Sequence, residues 1–228
     1  MCVEYFPDGK RKRISSYDKG TLSGDVTEYF PNGKLYLSGF YKKDTLIINR
    51  CSDSTGRVLT ENGNGIAVIY SEDFKHIAGA GSIKNGFKDG DWAGTLEDTL
   101  SYTAHYKNGE VINGISTAKS GRKYVFNKEY TAPEFAGGSQ MYGAFLAKNI
   151  RYPMVAIDDK IQGQVIVVFT VDSNGNLHNI RPLQGNAVLA REALRVMHLS
   201  PKWQPGTNYG VPVAVVYATP VNFTIVRE

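Results

Sequence analysis

The chain has 228 residues, of which 42% are hydrophobic and 21% charged, so it has the composition of a folded protein with a sizeable core. No run approaches the roughly 18 consecutive apolar residues that a membrane-spanning helix needs, and no signal-peptide pattern opens the chain. The net charge of +4 comes from basic and acidic residues that are interleaved. This lacks the concentrated positive field of a nucleic-acid-binding protein, so we expect no nucleic-acid partner.

Two local features leave alternatives open. The basic run Lys10-Arg11-Lys12-Arg13 is either an interaction patch or, as we prefer, a solvated strand that follows a turn. Cys2 and Cys51 would form at most one disulfide in an oxidising compartment. Cys2 also lies where a lipid-modified cysteine would lie after processing.

The first part of the chain repeats itself. Tyr5-Phe6-Pro7-Asp8-Gly9-Lys10 returns as Tyr29-Phe30-Pro31-Asn32-Gly33-Lys34, a spacing of 24, and Lys84-Asn85-Gly86 returns as Lys107-Asn108-Gly109, a spacing of 23. Asp-Gly and Asn-Gly supply the positive φ angles of hairpin turns, and a fixed period in the twenties is typical of repeat architectures. We assign the return turns to Gly20 with Gly24 and to Gly90 with Gly94. The pattern predicts an elongated β-meander whose units bury aromatic residues against each other.

These repeats resemble MORN-type repeats in their divergent bacterial form, over about residues 3–126. The resemblance implies a scaffold or an interaction surface and no chemistry. Trp92 and the tyrosines either form a groove for a peptide or glycan or, as we prefer, pack in the core.

Composition changes near residue 130, which predicts two domains, 1–130 and 131–228. Ten of the 14 tyrosines lie within residues 1–130, and seven of the nine prolines lie after it. In the second domain, hydrophobic periodicity predicts an α+β fold in which helices pack on one face of a three-stranded antiparallel sheet. The predicted elements are a helix capped by Ser139 and ending near Asn149, a helical turn over 155–160, strands over 164–172 and 177–182, a helix over 187–199, and a last strand over 211–217 that resumes after Pro220.

Within that second domain, three patterns have competing interpretations. The strand over 164–172 is apolar on both faces, which indicates either burial on both sides or contact with another chain. Asp172-Ser173-Asn174-Gly175-Asn176 has the start of a calcium loop, but position 12 is Leu183 instead of Glu, so we predict a turn. Asp158-Asp159 is interpreted as a helix end rather than a metal site.

Signatures of catalysis are absent. The four histidines lack metal-ligand spacing, and neither a nucleophile elbow nor a phosphate-binding loop occurs. We therefore expect a protein that is not an enzyme and that needs no cofactor or metal.

Motifs of the second domain occur in the order and spacing of a known family, and together they resemble the TonB C-terminal domain of Bacteroidetes-like bacteria. The match covers essentially all of residues 133–226. The residues that carry it are Phe135-Ala136-Gly137-Gly138, Asn149-Ile150-Arg151-Tyr152-Pro153, Ile161-Gln162-Gly163-Gln164-Val165, Phe169-x-Val171-Asp172 and Pro201-Lys202-Trp203-x-Pro205-Gly206.

The resemblance implies a protein of the Gram-negative periplasm or cell envelope in energy-coupled transport across the outer membrane. Its partner would be the TonB box of a TonB-dependent outer-membrane receptor, bound by strand addition. The family's Gln-Pro-x-Tyr-Pro contact maps onto Asn149, Ile150, Arg151, Tyr152 and Pro153, of which Tyr152 and Pro153 carry over cleanly. The final strand contributes a second contact, for which we predict pairing before Pro220, because proline lacks a donor. Its residues are Val213, Ala214, Val215, Val216 and Tyr217.

Two departures from the family pattern leave open whether this protein transmits force or docks without doing so. The transducers' N-terminal membrane helix and Pro-rich spacer are missing, and repeats stand in their place. A proton-driven inner-membrane motor would be a further partner, reached through a membrane anchor outside the chain shown. Any signal peptide or lipid anchor would also lie outside that chain. A different alternative, motivated by the doubly apolar strand over 165–171, is an envelope scaffold whose repeats bind a protein or glycan and whose TonB-like domain self-associates as a homodimer.

Overall fold

The computed structural model describes residues 1–43, 45–96 and 99–225. These residues fall into two compact units, one spanning Met1–Glu129 and the other beginning at Tyr130. Strands dominate the first unit, and the second combines strands with three helices among its described residues. The predicted α+β class is confirmed.

The first unit is one antiparallel sheet of 12 strands in which each strand pairs with the next one in the chain, so the predicted meander is confirmed. The strands are β1 Cys2–Tyr5, β2 Arg11–Asp18, β3 Thr21–Tyr29, β4 Leu35–Lys42, β5 Thr45–Ser52, β6 Val58–Glu61, β7 Asn64–Tyr70, β8 Ile77–Lys84, β9 Phe87–Leu96, β10 Leu100–Lys107, β11 Glu110–Ala118 and β12 Lys123–Phe126.

Two kinds of hairpin turn alternate along this sheet. In the first kind, the Phe6 N–H donates to the Lys10 carbonyl at 2.8 Å, and the Gly9 N–H donates to the Phe6 carbonyl at 2.9 Å. Gly9 has a φ of 82° and is the left-handed residue of a three-residue loop with a bulge. The same bonding recurs at 30–34, 53–57 and 118–122, and in a form one residue longer at 71–76.

The second kind is a two-residue turn with positive φ at both positions, which is the type I′ geometry that Asn-Gly favours. Gly20 lies in such a turn, as predicted. Gly24, Gly90 and Gly94 instead lie inside β3 and β9, so their assignment to return turns is wrong. Gly24 and Gly90 take positive φ where the pairing register shifts, which is the geometry of a bulge. The turns are Lys19-Gly20, Asn62-Gly63, Asn85-Gly86 and Asn108-Gly109.

Hydrogen bonds connect several of the turns to the next turn on the same edge of the sheet. The Lys10 ammonium donates to the Pro31 carbonyl at 3.0 Å, and the Lys34 ammonium donates to the Thr55 carbonyl at 2.5 Å. On the opposite edge, the Gly86 N–H donates to the Gly63 carbonyl at 2.8 Å. These bonds give Lys10 and Lys34, which follow Asp8-Gly9 and Asn32-Gly33, a structural role.

Large aromatic rings of the first unit lie over glycines. A Cβ built on Gly81 would come within 2.4 Å of the Trp92 ring, and one on Gly114 within 2.3 Å of the Phe126 ring. Trp92 is only 2% exposed and its indole N–H donates to the Ser82 carbonyl at 3.0 Å. The preferred interpretation of Trp92 as a core residue is confirmed. The cysteines are both free: Cys2 is exposed and Cys51 is buried.

The second unit has a main sheet of order β16-β15-β20 and two small sheets of order β13-β18-β19 and β14-β17. Its elements are β13 Tyr130–Thr131, β14 Glu134–Phe135, α1 Gly138–Asn149, α2 Met154–Asp158, β15 Gly163–Val171, β16 Leu177–Gln184, α3 Ala187–Met197, β17 Trp203–Gln204, β18 Gly206–Asn208, β19 Val211–Val213 and β20 Val215–Phe223.

Helices α1 and α3 pack on one face of the main sheet. The buried core contains the inward side chains of β15 and, from α3, Leu189, Ala193 and Met197. Trp203 lies at its centre, with the Phe169 and Tyr142 rings at 5.1 and 5.6 Å. The two-layer arrangement predicted for this domain fits these contacts.

Two details of the predicted elements are wrong. Ser139 does not cap α1, because Gly137, with φ of 87°, is the N-cap and no side chain bonds there. The last strand is also divided elsewhere than predicted: β19 pairs with β18 and β20 pairs with β15, with Ala214 between them, and β20 continues through Pro220 without the predicted interruption. The division follows from the type I′ turn at Tyr209-Gly210, which pairs 206–208 with 211–213.

The turn predicted at Asp172 is confirmed. Its carboxylate accepts the backbone N–H groups of Asn174 and Asn176 at 2.8 and 2.9 Å. The Asp158-Asp159 pair lies at the end of α2, as predicted.

Replacing Gly81 with alanine should destabilise the first unit. The new methyl group would overlap the Trp92 ring, and overpacking of this kind costs about 1–3 kcal/mol in the free energy of unfolding. The measurement is the unfolding temperature by calorimetry, which should fall by several degrees.

Gly143→Ala is the matched control, because Gly143 lies in α1 and a Cβ added there would have no neighbouring atom within 4 Å. It should leave its own unit as stable or more so, since alanine favours a helix. An unchanged unfolding temperature in Gly81→Ala would contradict the packing described for Trp92.

Candidate functional site

Strand β20 is one of the two outer strands of the main sheet, and β16 is the other. Strand β20 pairs with β15 without a register shift, from Val215 opposite Val171 to Phe223 opposite Gly163. Among the described residues, no strand pairs with its other side. An outer strand of nine residues presents backbone N–H and C=O groups to which an extended peptide can bond.

Pro220 determines which residues of β20 face outward. Proline has no N–H, so it fits a sheet where its nitrogen points away from the ladder. Pro220 lies opposite Ile166 in an unbroken ladder, and backbone direction alternates along a strand. Val216, Ala218 and Asn222 therefore also direct their backbone groups outward, and their side chains are exposed. The free edge offers three N–H donors and four carbonyl acceptors.

The predicted edge residues do not form one strand. Val213 belongs to β19, Ala214 connects the two strands, and Val215, Val216 and Tyr217 form the beginning of β20. Of these five, Val216 is the one whose backbone groups face the free edge of β20, and its side chain is 70% exposed. Sequence alone does not reveal this division, because the apolar run is continuous through Ala214.

The predicted Asn149–Pro153 segment lies at the other end of β20. Asn149 ends α1, and Tyr152 packs its ring edge-on against Phe223 at 5.8 Å. The Tyr152 hydroxyl donates to the Ile161 carbonyl at 2.8 Å. At about 3.4 Å per residue, Phe223 lies about 27 Å from Val215. The two predicted contact regions thus mark the ends of one edge and do not form a single patch.

An ion pair on α3 holds the Asn149–Arg151 segment in place. Glu192 accepts the Arg151 backbone N–H at 2.6 Å, and Arg195 donates to the Asn149 carbonyl at 2.6 Å. Arg195 also binds both carboxylate oxygens of Glu192, at 2.7 and 2.8 Å. We name Glu192 and Arg195 the α3 clamp.

Neither clamp residue was predicted as a site residue from the sequence, and the Glu192 side chain is only 10% exposed. The spacing of three residues was the available signal, because it places both side chains on one helix face. The hydrogen bonds from Arg195 and from the Arg151 N–H lower the pKa of Glu192 below its ordinary value.

The outer face of the main sheet carries further apolar side chains beside the edge. Val168 on β15 is 8% exposed, and Ile166 and Thr170 are half-buried. Ala218 and Pro220, opposite Val168 and Ile166 on β20, are exposed. The doubly apolar strand is therefore buried fully on one face and partly on the other.

The described residues contain no group of three or more His, Cys, Asp or Glu side chains placed to hold a metal ion. In the same residues, every helix is too short or too polar to cross a membrane.

Acid should destabilise the second unit through Glu192. Because its folded-state pKa lies below the ordinary value of 4.5, the unfolded chain takes up the proton first as the pH falls. The stabilisation is complete above that value and is lost as the pH falls through the folded-state pKa. Calorimetry from about pH 6 to about pH 3 should show the unfolding temperature of this unit decreasing.

Glu192→Gln keeps the size of the side chain and removes the proton uptake. Its free energy of unfolding at neutral pH should fall by about 1.5–3 kcal/mol, because a charge-assisted hydrogen bond is lost. Its unfolding temperature should therefore be lower at neutral pH and should vary less with pH. Parallel pH profiles for the two proteins would contradict the role of this carboxylate.

Comparison with known proteins gives one family match. Residues 148–225 match the family model described as Gram-negative bacterial TonB protein C-terminal. No curated protein and no solved structure matches the chain. The matched range contains the Tyr152 segment, the α3 clamp and all of β20, so the candidate edge lies within the residues that are similar to TonB C-terminal domains.

Proposed function

We propose that this protein is a non-enzymatic binding module of the Gram-negative cell envelope that docks to outer-membrane receptors. The receptor's TonB box would add to β20 as a fourth strand of the main sheet. The free outer edge of β20, inside a matched TonB C-terminal domain, is the observation that supports this most directly. The proposal includes a periplasmic location and a part in energy-coupled transport.

The outward groups of β20 favour a defined register for the added strand. Val216 and Ala218 each offer an N–H and a carbonyl, so each forms a complete pair of bonds with an antiparallel partner. Pro220 offers only a carbonyl. Full pairing therefore spans 216–218 and weakens at Pro220, which agrees with the expectation that docking lies before this residue.

The Tyr152 segment has a separate role in this proposal. It lies beside Phe223, beyond Pro220, so a bound peptide that continues past Pro220 would approach Tyr152 and Pro153. The α3 clamp fixes the backbone of Asn149 and Arg151, which keeps this second contact ordered before the peptide arrives.

The first unit would act as a scaffold of MORN-type repeats. Its turns are bonded to one another along both edges, and its largest aromatic residues are buried. Such a unit is suited to hold the docking domain or to present a surface.

Ala218→Pro tests the register of docking. It removes one outward N–H while the bonds of β20 to β15 remain, so the fold should persist as it does at Pro220. Losing one hydrogen bond of about 1 kcal/mol, together with the distortion of the edge, should weaken binding about tenfold. The measurement is amide NMR of the full chain titrated with synthetic TonB-box peptides from several receptors.

Pro220→Ala provides the matched comparison, in which binding is expected to stay the same or strengthen instead of weaken. It adds an outward N–H and should bind the peptides as tightly as the parent protein or up to about fivefold more tightly. Binding shifts in the parent should centre on Val216 and Ala218. Equal affinities for all three proteins, or no shifts on β20 with any peptide, would refute docking at this edge.

Self-association is the second candidate for the main sheet. The exposed Val216, with Ala218 and Pro220 beside it, gives β20 an apolar outer face that a second copy would cover. Light scattering across protein concentrations distinguishes the two. A dimer that dissociates in Val216→Lys would favour the homodimer, and a monomer throughout would leave the edge free for receptors.

A further inference from the structure

A cavity of about 400 Å³ lies within the first unit, apart from the docking edge. Its walls come from β2, β3 and β4 on one side and from the end of β7 with the following turn on the other. Lys12 on β2 reaches Glu72 in that turn at 3.3 Å, which joins the two sides at the mouth. The volume falls within the range of pockets that hold small molecules.

Aromatic rings form much of the cavity wall. Tyr36, Tyr70 and Phe74 pack against one another with ring centroids 5.4 to 5.9 Å apart, and Tyr41 adds a fourth ring. Flat ring faces of this kind attract flat apolar surfaces of a ligand.

Phe74 occupies a strained position beside the cavity. Its φ is 58°, in the left-handed region where the corresponding turns have Gly9, Gly33 and Gly56. A bulky residue in this conformation is an outlier that the surroundings must stabilise. Part of that stabilisation comes from its contacts with Phe6 and Phe30, at 5.9 and 5.5 Å. Having phenylalanine at this position, despite the backbone strain, places an aromatic ring in the cavity wall where a glycine would leave a gap.

The charged groups that line the cavity neutralise one another. Arg13 donates to one carboxylate oxygen of Glu28 at 2.8 Å, and Lys12 has Glu72 as its partner. These bonds use one of the two carboxylate oxygens of Glu28 and one of the three ammonium hydrogens of Lys12. Among the described residues, the Tyr41 hydroxyl has no hydrogen-bond partner. The lining therefore has no net charge but keeps free donors and acceptors.

We propose that this cavity binds a neutral carbohydrate. Sugar hydroxyl groups both donate and accept, so they match the remaining capacity of Lys12, Arg13, Glu28 and Tyr41. The apolar C–H face of a sugar ring matches the rings of the wall. A charged ligand would gain less, because each cation already has a carboxylate beside it.

The test is a titration of the full chain with four neutral oligosaccharides, maltotriose, cellotriose, xylotriose and chitotriose, and with acidic trigalacturonate. Saturation-transfer NMR and calorimetry should detect at least one neutral trisaccharide with a Kd of about 1 mM or tighter. Tyr41→Ala should weaken that binding by about tenfold or more, and Lys12→Met should also weaken it.

Phe40→Ala is the matched control. Phe40 precedes Tyr41 on β4 and points to the opposite face of the sheet, where it is 41% exposed. Its loss should leave the affinity unchanged. Three results would overturn the proposal: no neutral trisaccharide binds, trigalacturonate alone binds, or Tyr41→Ala and Phe40→Ala bind equally. The TonB-box titration reports on the other unit, so the failure of one proposal does not decide the other.

Discussion

The fold of the first unit depends on left-handed backbone at its turns. Each three-residue loop and each two-residue turn needs a residue with positive φ, and glycine occupies most of these positions. Because the two kinds alternate, successive turns of one kind lie on the same edge of the sheet, where several of them bond to one another. The repeat of 24 residues, as from Gly9 to Gly33, is thus the length of two strands and two turns.

This constraint explains what the sequence predicts well and where it fails. Asn85-Gly86 and Asp8-Gly9 are local signals, since two residues decide the turn, and so the meander was predictable. Gly90 and Gly94 are also glycines, but they lie inside a strand. Gly90 is at a bulge, and Gly94 lies close to the Ala78 carbonyl. A glycine that makes room for a neighbouring strand is indistinguishable in sequence from a glycine that makes a turn. Only the pairing tells them apart.

The second unit shows the same division between local and distant information. Helix α3 follows from its own apolar stripe, and its position in the chain was predicted closely. The α3 clamp was not, because the carboxylate of Glu192 finds the Arg151 N–H 41 residues away in the chain. The sequence predicted that the candidate edge lies on the final strand, but it did not predict where that strand begins and ends. Its division at Ala214 depends on the Tyr209-Gly210 turn, where tyrosine replaces the usual asparagine and weakens the signal.

Proline gives the most specific information about the candidate site. A central strand cannot accommodate Pro220, so this residue by itself places β20 at an edge. Once β20 is an edge, alternation assigns every outward group, and the same alternation directs Tyr217, Thr219 and Val221 toward the core. The side chains that stabilise the sheet and the backbone groups left free for a partner therefore belong to different residues. A partner can pair with β20 without disturbing the core, and that separation is what strand addition requires.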